Sequence, residues 1–148
     1  MSAHEQITIT ENARAKWLAA IELVEASLRK LAPYDANRVY LADEAEPYDA
    51  LSDRFVRAVE VGLKFFRSYE RLQFAEESDT LRDQLNRMEK LRIISSVELW
   101  FQMRDVRNRI VHDYLPQDIK QIYDDMMGPL GAELSACAAT VRPLVLHA

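Results

Sequence analysis

The sequence predicts an all-α protein, an up-and-down bundle of four to five helices. The 148 residues include only 3 glycines and 5 prolines, too few for the many tight turns of a sandwich, a barrel or a doubly wound α/β fold. Apolar residues recur at spacings of three and four along most of the chain, which is the periodicity of amphipathic helices. With 49% hydrophobic and 29% charged residues, the chain has the composition of one globular domain, residues 1–148, that buries its own core.

The first helix is expected over residues 12–32. The N-terminal residues 1–11 show no helical pattern, so we expect them to be flexible. Pro33 ends the helix, because proline cannot continue the hydrogen-bond ladder. Residues 33–48 are bracketed by two prolines and are acidic, which indicates a connector too long to be a tight turn.

A long second helix and a short third helix are expected next. The second covers residues 50–76, with a core stripe of large apolar side chains: Phe55, Val59, Leu63 and Phe66. The third covers residues 79–92, and Ser78 and Asp79 have the side chains that cap helix N-termini.

The fourth helix begins near Val97, where Ser95 and Glu98 match the spacing of a capping box. It should end near His112 or Asp113.

The fifth helix has Pro116 in its first turn, where proline is well tolerated, and continues to about residue 146. Gly128 and Pro129 should kink or briefly break it.

The composition also excludes several kinds of site. No two glycines are spaced for a phosphate-binding loop. The single cysteine, Cys137, excludes an internal disulfide and a cysteine-based zinc site, and we expect it to be a buried apolar residue. His4 and His147 lie near the chain ends, so His112 is the one internal histidine. We therefore expect no metal ion and no cofactor.

Charge and hydropathy bear on location and partners. The chain has no apolar run of roughly 18 residues and no signal-peptide pattern, so we expect a cytoplasmic protein without a membrane contact. The formal net charge of −5 argues against a general nucleic-acid coat, but the segment from Arg82 to Arg109 carries a net +3. Either this segment forms a local basic patch, or its charges are scattered around two helices.

Two faces of the fourth helix carry apolar side chains. One is an ordinary core stripe: Leu99, Met103, Val106 and Ile110. The other mixes charged, polar and apolar residues: Trp100, Phe101, Arg104, Arg107, Asn108, Val111 and His112. This mixture predicts a second, half-buried face, covered either by another helix of the chain or by another subunit. A subunit is favoured, because interfaces are enriched in arginine and aromatic residues.

Arg107 and His112 together suit chemistry at phosphate. The guanidinium group is a permanently charged fork that matches phosphate oxygens, and imidazole transfers protons near neutral pH. Five residues apart on a helix, they are separated by about 140°, so a shared site forms most easily between two copies of the helix. Asn108 and His112 face the same way and could hydrogen-bond. The alternative is that His112 is a structural or surface residue.

The segment from Arg107 to Tyr114, RNRIVHDY, resembles the R-x4-H-x-Y motif of the HepT-like branch of the HEPN superfamily. The longer stretch IISSVELWFQMRDVRNRIVHDY is similar to the motif helix of nucleotidyltransferase substrate-binding proteins, small HEPN proteins encoded beside a minimal nucleotidyltransferase. Residues 54–66 and the pair Ile122–Tyr123 resemble their second and last helices, so the resemblance covers roughly residues 50–145. The long N-terminal portion departs from the compact pattern of the family.

The resemblance implies a homodimer that brings two motifs into one cleft and, in many family members, a metal-independent ribonuclease. Arg107 would then hold the phosphate, His112 would be the general acid or base, and Asn108 would orient the site. Tyr114 matches the tyrosine that receives AMP from a nucleotidyltransferase antitoxin. Arg104, Arg109 and Trp100 are further candidates for contact with RNA or a nucleotide.

The sequence is compatible with three functions. The first is a HEPN toxin that cleaves RNA and is paired with a minimal nucleotidyltransferase antitoxin. The second is a non-catalytic subunit that binds a nucleotide or substrate for a separate nucleotidyltransferase. The third is a helical interaction protein without an active site, which would bury the arginine and histidine face inside the monomer.

Overall fold

The computed structural model describes residues 2–147, and within that range it contains six helices and no strand. Met1 and Ala148, the ends of the predicted domain, lie outside the described residues. Within residues 2–147, no helix is both long and apolar enough to span a membrane. The helices are α1 (Ala3–Lys30), α2 (Ala42–Phe74), α3 (Leu81–Lys90), α4 (Val97–His112), α5 (Pro116–Asp125) and α6 (Gly131–Val141).

The predicted all-helical bundle is confirmed. A π-helical turn, Met126–Leu130, joins α5 to α6, and Gly128 departs from helical backbone angles within it. The last two helices therefore act as one helix kinked at Gly128 and Pro129, as the sequence predicts. Pro116 is the first residue of α5, and α4 has the predicted bounds.

The prediction of a flexible N-terminus is wrong, because α1 already begins at Ala3. Ser2 and Glu5 form a capping box, in which the Ser2 Oγ accepts from the Glu5 amide at 3.1 Å. Gln6 Nε2 then donates to the Ser68 carbonyl of α2 at 3.2 Å, and Thr10 is fully buried. These contacts are hydrogen bonds of polar residues, so residues 3–11 lack the apolar periodicity from which a helix is predicted.

The second half of the predicted connector is also helical. Residues 31–41 form the connector, and α2 begins at Ala42 and runs through Pro47. Tyr48 anchors this first part of α2, because its hydroxyl donates to the Ala32 carbonyl at 2.6 Å and its ring is buried.

Two predicted helix caps shift by one or two residues. Thr80, rather than Ser78 and Asp79, caps α3 and accepts from the Asp83 amide. Ser96, rather than Ser95, caps α4 by accepting from the Leu99 amide.

Ser78, which does not cap α3, instead donates its hydroxyl to a buried carboxylate. Glu70 of α2 is fully buried and accepts hydrogen bonds from Ser78, from Gln84 at 3.1 Å and from Arg87 at 3.0 Å. The pair with Arg87 compensates the cost of burying the carboxylate charge and ties α3 to α2.

The core is built around a close crossing of three helices. Trp17 of α1 and Trp100 of α4 are both fully buried, and their ring centroids lie 6.0 Å apart across Gly62 of α2. Phe66 packs edge-on against both indoles, at 5.3 and 4.9 Å. The Trp100 indole N–H donates to buried Glu133 of α6 at 3.0 Å, so this crossing joins four helices.

Gly62→Ala should destabilise the fold. An added Cβ would lie 2.8 Å from the Trp17 ring and 3.0 Å from the Trp100 ring, and both rings are held by the core. We expect the free energy of unfolding to fall by about 1–3 kcal/mol, as is typical of overpacking. Denaturant unfolding measures it, with Lys64→Ala, at an exposed position on α2, as the control expected to change little. A more stable Gly62→Ala variant would contradict this crossing.

Candidate functional site

Helix α4 is half core and half surface. Its buried residues recur every three positions and stop midway: Val97, Trp100, Met103 and Val106. No later residue of α4 is buried. The predicted core stripe is correct at Met103 and Val106, but Leu99 is half-buried and Ile110 is exposed. The last two turns of α4 therefore present the predicted motif to solvent.

Trp100 does not belong to that surface. The sequence placed it on the second face of α4, as a candidate contact for RNA, but its indole is fully buried against Trp17 and Phe66. It is therefore a core residue and cannot stack on a base. Phe101 is half-buried beneath the Arg82 guanidinium, which lies 4.5 Å from the ring centroid.

Arg107 lies between two grooves that run beside α4. The Glu60 groove, of about 520 Å³, is lined by Glu60, Phe101, Arg104, Asp105, Arg107 and Asn108. The Asp53 groove, of about 330 Å³, is lined by Asp49, Ser52, Asp53, Val56, Arg107, Ile110 and Val111. The Arg107 side chain is exposed and makes no ion pair with any residue between 2 and 147.

His112 is the last residue of α4 and is exposed. No hydrogen bond or ion pair joins it to Arg107 within the described chain, and it lines neither groove. On an ideal helix, an offset of five positions separates Arg107 and His112 by about 7.5 Å along the axis and about 140° around it. One monomer therefore presents the two residues without bringing them together.

The other predicted motif residue, Asn108, is held within α4. Its side-chain amide donates to Asp105 Oδ1 at 3.3 Å, so the anticipated hydrogen bond between Asn108 and His112 is not formed. Asn108 lines the Glu60 groove next to Arg107.

Several arginines in and near α4 form ion pairs within the chain. Arg109 is half-buried and pairs with Asp125 of α5 at 2.9 Å, which leaves it little freedom to contact RNA. Arg82 pairs with Glu98, and Arg87 pairs with Glu70 and Glu76. Arg104, by contrast, is exposed and lines the Glu60 groove with Arg107.

An exposed apolar surface surrounds the end of α4. The backbone leaves the helix at Asp113 in an extended conformation, and Tyr114 beyond it is 81% exposed. Its hydroxyl is therefore accessible to another molecule. We call this surface the α4 apolar patch; its members are Ile110, Val111, Tyr114 and Leu115.

Carboxylates from α2 line the grooves beside the motif. Glu60 faces one groove, and Asp49 and Asp53 face the other. No spacing in the sequence singles them out, because the packing of α2 against α4 is what brings them to Arg107. Arg54, on the same helix, instead binds Ser27 and the Leu23 carbonyl of α1.

Cys137 is held away from nucleophilic chemistry. Burial, reinforced by the negative charge of Glu133, raises the pKa of the Cys137 thiol far above its usual range. Over residues 2–147 no group of three or more histidine, cysteine, aspartate or glutamate side chains is arranged to hold a metal ion.

No protein-family model matches this chain, and no curated protein matches it. The resemblance to HEPN proteins therefore depends on the motif of α4 and the order of the helices around it.

Cys137 should react slowly with a thiol reagent while the chain is folded. Because the native pKa is raised, the thiol stays protonated as the pH rises through about 8.5, where an unfolded cysteine ionises. We expect the native rate of reaction with a disulfide reagent to stay low and nearly constant between about pH 7 and 9, and the rate in denaturant to rise with pH. Cys137→Ser gives the blank. A native rate that climbs with pH like that of the unfolded chain would refute the burial of the thiol.

Proposed function

We propose that this chain is the HEPN-type toxin of a toxin–antitoxin pair, a metal-independent endoribonuclease controlled by a minimal nucleotidyltransferase. The observation that carries the proposal is the state of the motif: Arg107 and His112 are exposed on the last two turns of α4, and neither has an ion-pair partner in the described chain. Structural arginine and histidine residues are usually paired or packed, as Arg109 is here.

A second copy of the chain completes the site in this proposal. The α4 apolar patch lies beside the motif, and exposed apolar surface next to arginine is typical of protein interfaces. A two-fold axis at the end of α4 would set Arg107 of one protomer near the motif of its partner. Two copies would then supply two arginines and two histidines to one cleft.

The proposed reaction needs a base, an acid and a cation at phosphate. The ribose 2′-oxygen attacks the adjacent phosphorus, the bond from phosphorus to the 5′-oxygen breaks, and a 2′,3′-cyclic phosphate and a 5′-hydroxyl remain. One His112 removes the 2′-hydroxyl proton, and the His112 of the partner subunit protonates the leaving 5′-oxygen. The Arg107 fork binds the non-bridging oxygens, whose negative charge grows in the transition state.

Tyr114 provides a means of control. Its phenol is exposed at the end of the motif, so a nucleotidyltransferase could reach it. Transfer of AMP to that oxygen would add bulk and negative charge beside the cleft, and both would exclude RNA.

A second candidate function is a non-catalytic subunit that binds a nucleotide for a separate nucleotidyltransferase. The observation that favours it is the acidity of both grooves, since Glu60, Asp49 and Asp53 would repel a long polyanion more than a single nucleotide. The two candidates share Arg107 and differ in whether His112 transfers protons.

His112→Ala and Arg107→Ala should each impair RNA cleavage in the presence of EDTA. Loss of general acid–base catalysis should lower the rate about a hundredfold or more for His112→Ala. His4→Ala and Arg142→Ala replace exposed residues outside the motif and should retain the rate of the unmodified chain. The readout is the amount of cyclic phosphate ends formed per unit time. Equal rates in all five proteins would reject the ribonuclease, and nucleotide binding without cleavage would favour the second candidate.

Tyr114 should be the acceptor of AMP. The proposal predicts that a minimal nucleotidyltransferase is encoded beside this gene. We expect co-expression with it to add the mass of one AMP per chain and to suppress RNA cleavage. Tyr114→Phe should prevent the added mass, whereas Tyr69→Phe, at a half-buried tyrosine of α2, should not. Intact-protein and peptide mass spectrometry measure both. AMP found on another residue would disprove the role of Tyr114.

A further inference from the structure

Four of the six tyrosines of the chain meet at one place: Tyr34, Tyr40, Tyr48 and Tyr123. The first two belong to the connector, the third to α2 and the fourth to α5. They line a cavity of about 230 Å³, which we call the tyrosine pocket, together with Asp49, Asp113 and four apolar residues: Ala45, Ile110, Ile119 and Ile122. Arg107 and His112 do not line it, although Ile110 and Asp113 of the same segment do. The pocket adjoins the Asp53 groove, with which it shares Asp49 and Ile110.

The tyrosine rings mostly cover one another's faces. Tyr34 stacks on Tyr40 at 4.7 Å and on Tyr123 at 5.1 Å, and Tyr48 packs edge-on against all three. At the outer end of the stack the guanidinium of Arg38 lies 4.7 Å from the Tyr40 ring centroid. This cluster therefore already holds one guanidinium group of the chain itself against an aromatic ring.

Most hydroxyl groups of the pocket are occupied within the protein. The Tyr48 hydroxyl donates to the Ala32 carbonyl, and the Tyr40 hydroxyl accepts from the Asp35 amide at 2.9 Å. The Tyr123 hydroxyl accepts from Ser52 at 3.2 Å. The charged hydrogen-bond acceptors of the pocket are its two carboxylates.

Asp49 and Asp113 supply those acceptors. Neither makes an ion pair or a side-chain hydrogen bond with any residue from 2 to 147, and Asp113 is half-buried at the C-terminus of α4. The carbonyl end of a helix also attracts positive charge. Arg38 does not neutralise these two carboxylates, because it forms an ion pair with Glu44.

Burial keeps the phenols of Tyr34, Tyr48 and Tyr123 uncharged at neutral pH, so they add no charge to that of the two carboxylates. Burial, followed by the Tyr40 hydroxyl, raises the pKa of Tyr48 to about 12. Burial raises the pKa of Tyr34 and of Tyr123 as well, and the charge of Asp49 raises both further.

We propose that the tyrosine pocket binds a guanidinium group, which its two carboxylates hold by hydrogen-bonded ion pairs between apolar and aromatic walls. A quaternary ammonium group fits less well, because it cannot donate hydrogen bonds and the ring faces it would need are covered by other rings. A nucleotide is disfavoured by the two carboxylates. The volume suits a side-chain-sized group rather than a drug-sized ligand. The group can belong to a small guanidino compound or to an arginine of another protein.

The test is an NMR titration of the whole chain with four probes. Ethylguanidinium is the free form of the group, and a capped Gly-Arg-Gly peptide is the protein form. N-ethylurea is a neutral analogue, and tetramethylammonium is a cation that cannot donate hydrogen bonds. We expect saturable shifts of the amides around residues 34–41 and 113 with one or both guanidinium probes, and none with the other two. A response to ethylguanidinium alone identifies a small-molecule site, and a response to the peptide as well identifies a site open to a partner's arginine.

Asp49→Asn and Asp113→Asn should each weaken binding about threefold to tenfold, which is the range for loss of one charged hydrogen bond at a partly exposed site. Asp53→Asn, one turn beyond Asp49 on α2 and outside the pocket, is the matched control and should bind as the unchanged chain does. Circular dichroism checks that each variant is folded. Absence of saturable binding of both guanidinium probes, or equal binding of tetramethylammonium or N-ethylurea, would each overturn the proposal. These measurements do not use RNA cleavage, so their outcome is separate from that of the proposed ribonuclease.

Discussion

The close crossing of α1, α2 and α4 at Trp17, Gly62 and Trp100 is the contact on which the rest of the structure depends. Two indoles fit over one backbone position only because Gly62 has no Cβ. Glu133 accepts the Trp100 indole N–H, whereas the buried Trp17 N–H has no hydrogen-bond partner in the described chain. The same carboxylate accepts from the Ser95 amide at 3.0 Å, so it ties the segment just before α4 to α6.

Anchoring α4 in this way divides it into two parts with different roles. The buried stripe ends at Val106, and beyond it Arg107, Val111 and His112 face solvent. A helix whose second half lacks a core stripe is held by its first half and by the ion pair of Arg109 with Asp125. The motif is therefore presented on a rigid element without being enclosed, which suits a site that a second molecule completes.

The distribution of charge explains why net charge is a poor guide to this surface. Arg82, Arg87 and Arg109 are all used to join helices, so the excess of basic residues in this segment does not form one basic patch. Lys90, Arg92, Arg104 and Arg107 are exposed and make no ion pair within residues 2–147. Only Arg104 and Arg107 lie in the grooves beside α4, next to carboxylates contributed by α2. Such a surface favours a small number of phosphate contacts over a long nucleic-acid track.

Apolar periodicity and the backbone preferences of proline and glycine act between residues close together in the chain. The sequence by itself therefore determined the helical class, the bounds of α4, the start of α5 at Pro116 and the kink at Gly128. The helical wheel separates Arg107 and His112 from the core stripe, and both are exposed on the single chain, where no other helix covers them. Only the tertiary structure decided where polar and aromatic residues go. Gln6 and Thr10 tie residues 3–11 to Ser68 on another helix, and Trp100 is buried with its N–H donating to Glu133 of α6. The grooves and the tyrosine pocket likewise form between segments far apart in the chain, and no local pattern encodes which of them come into contact.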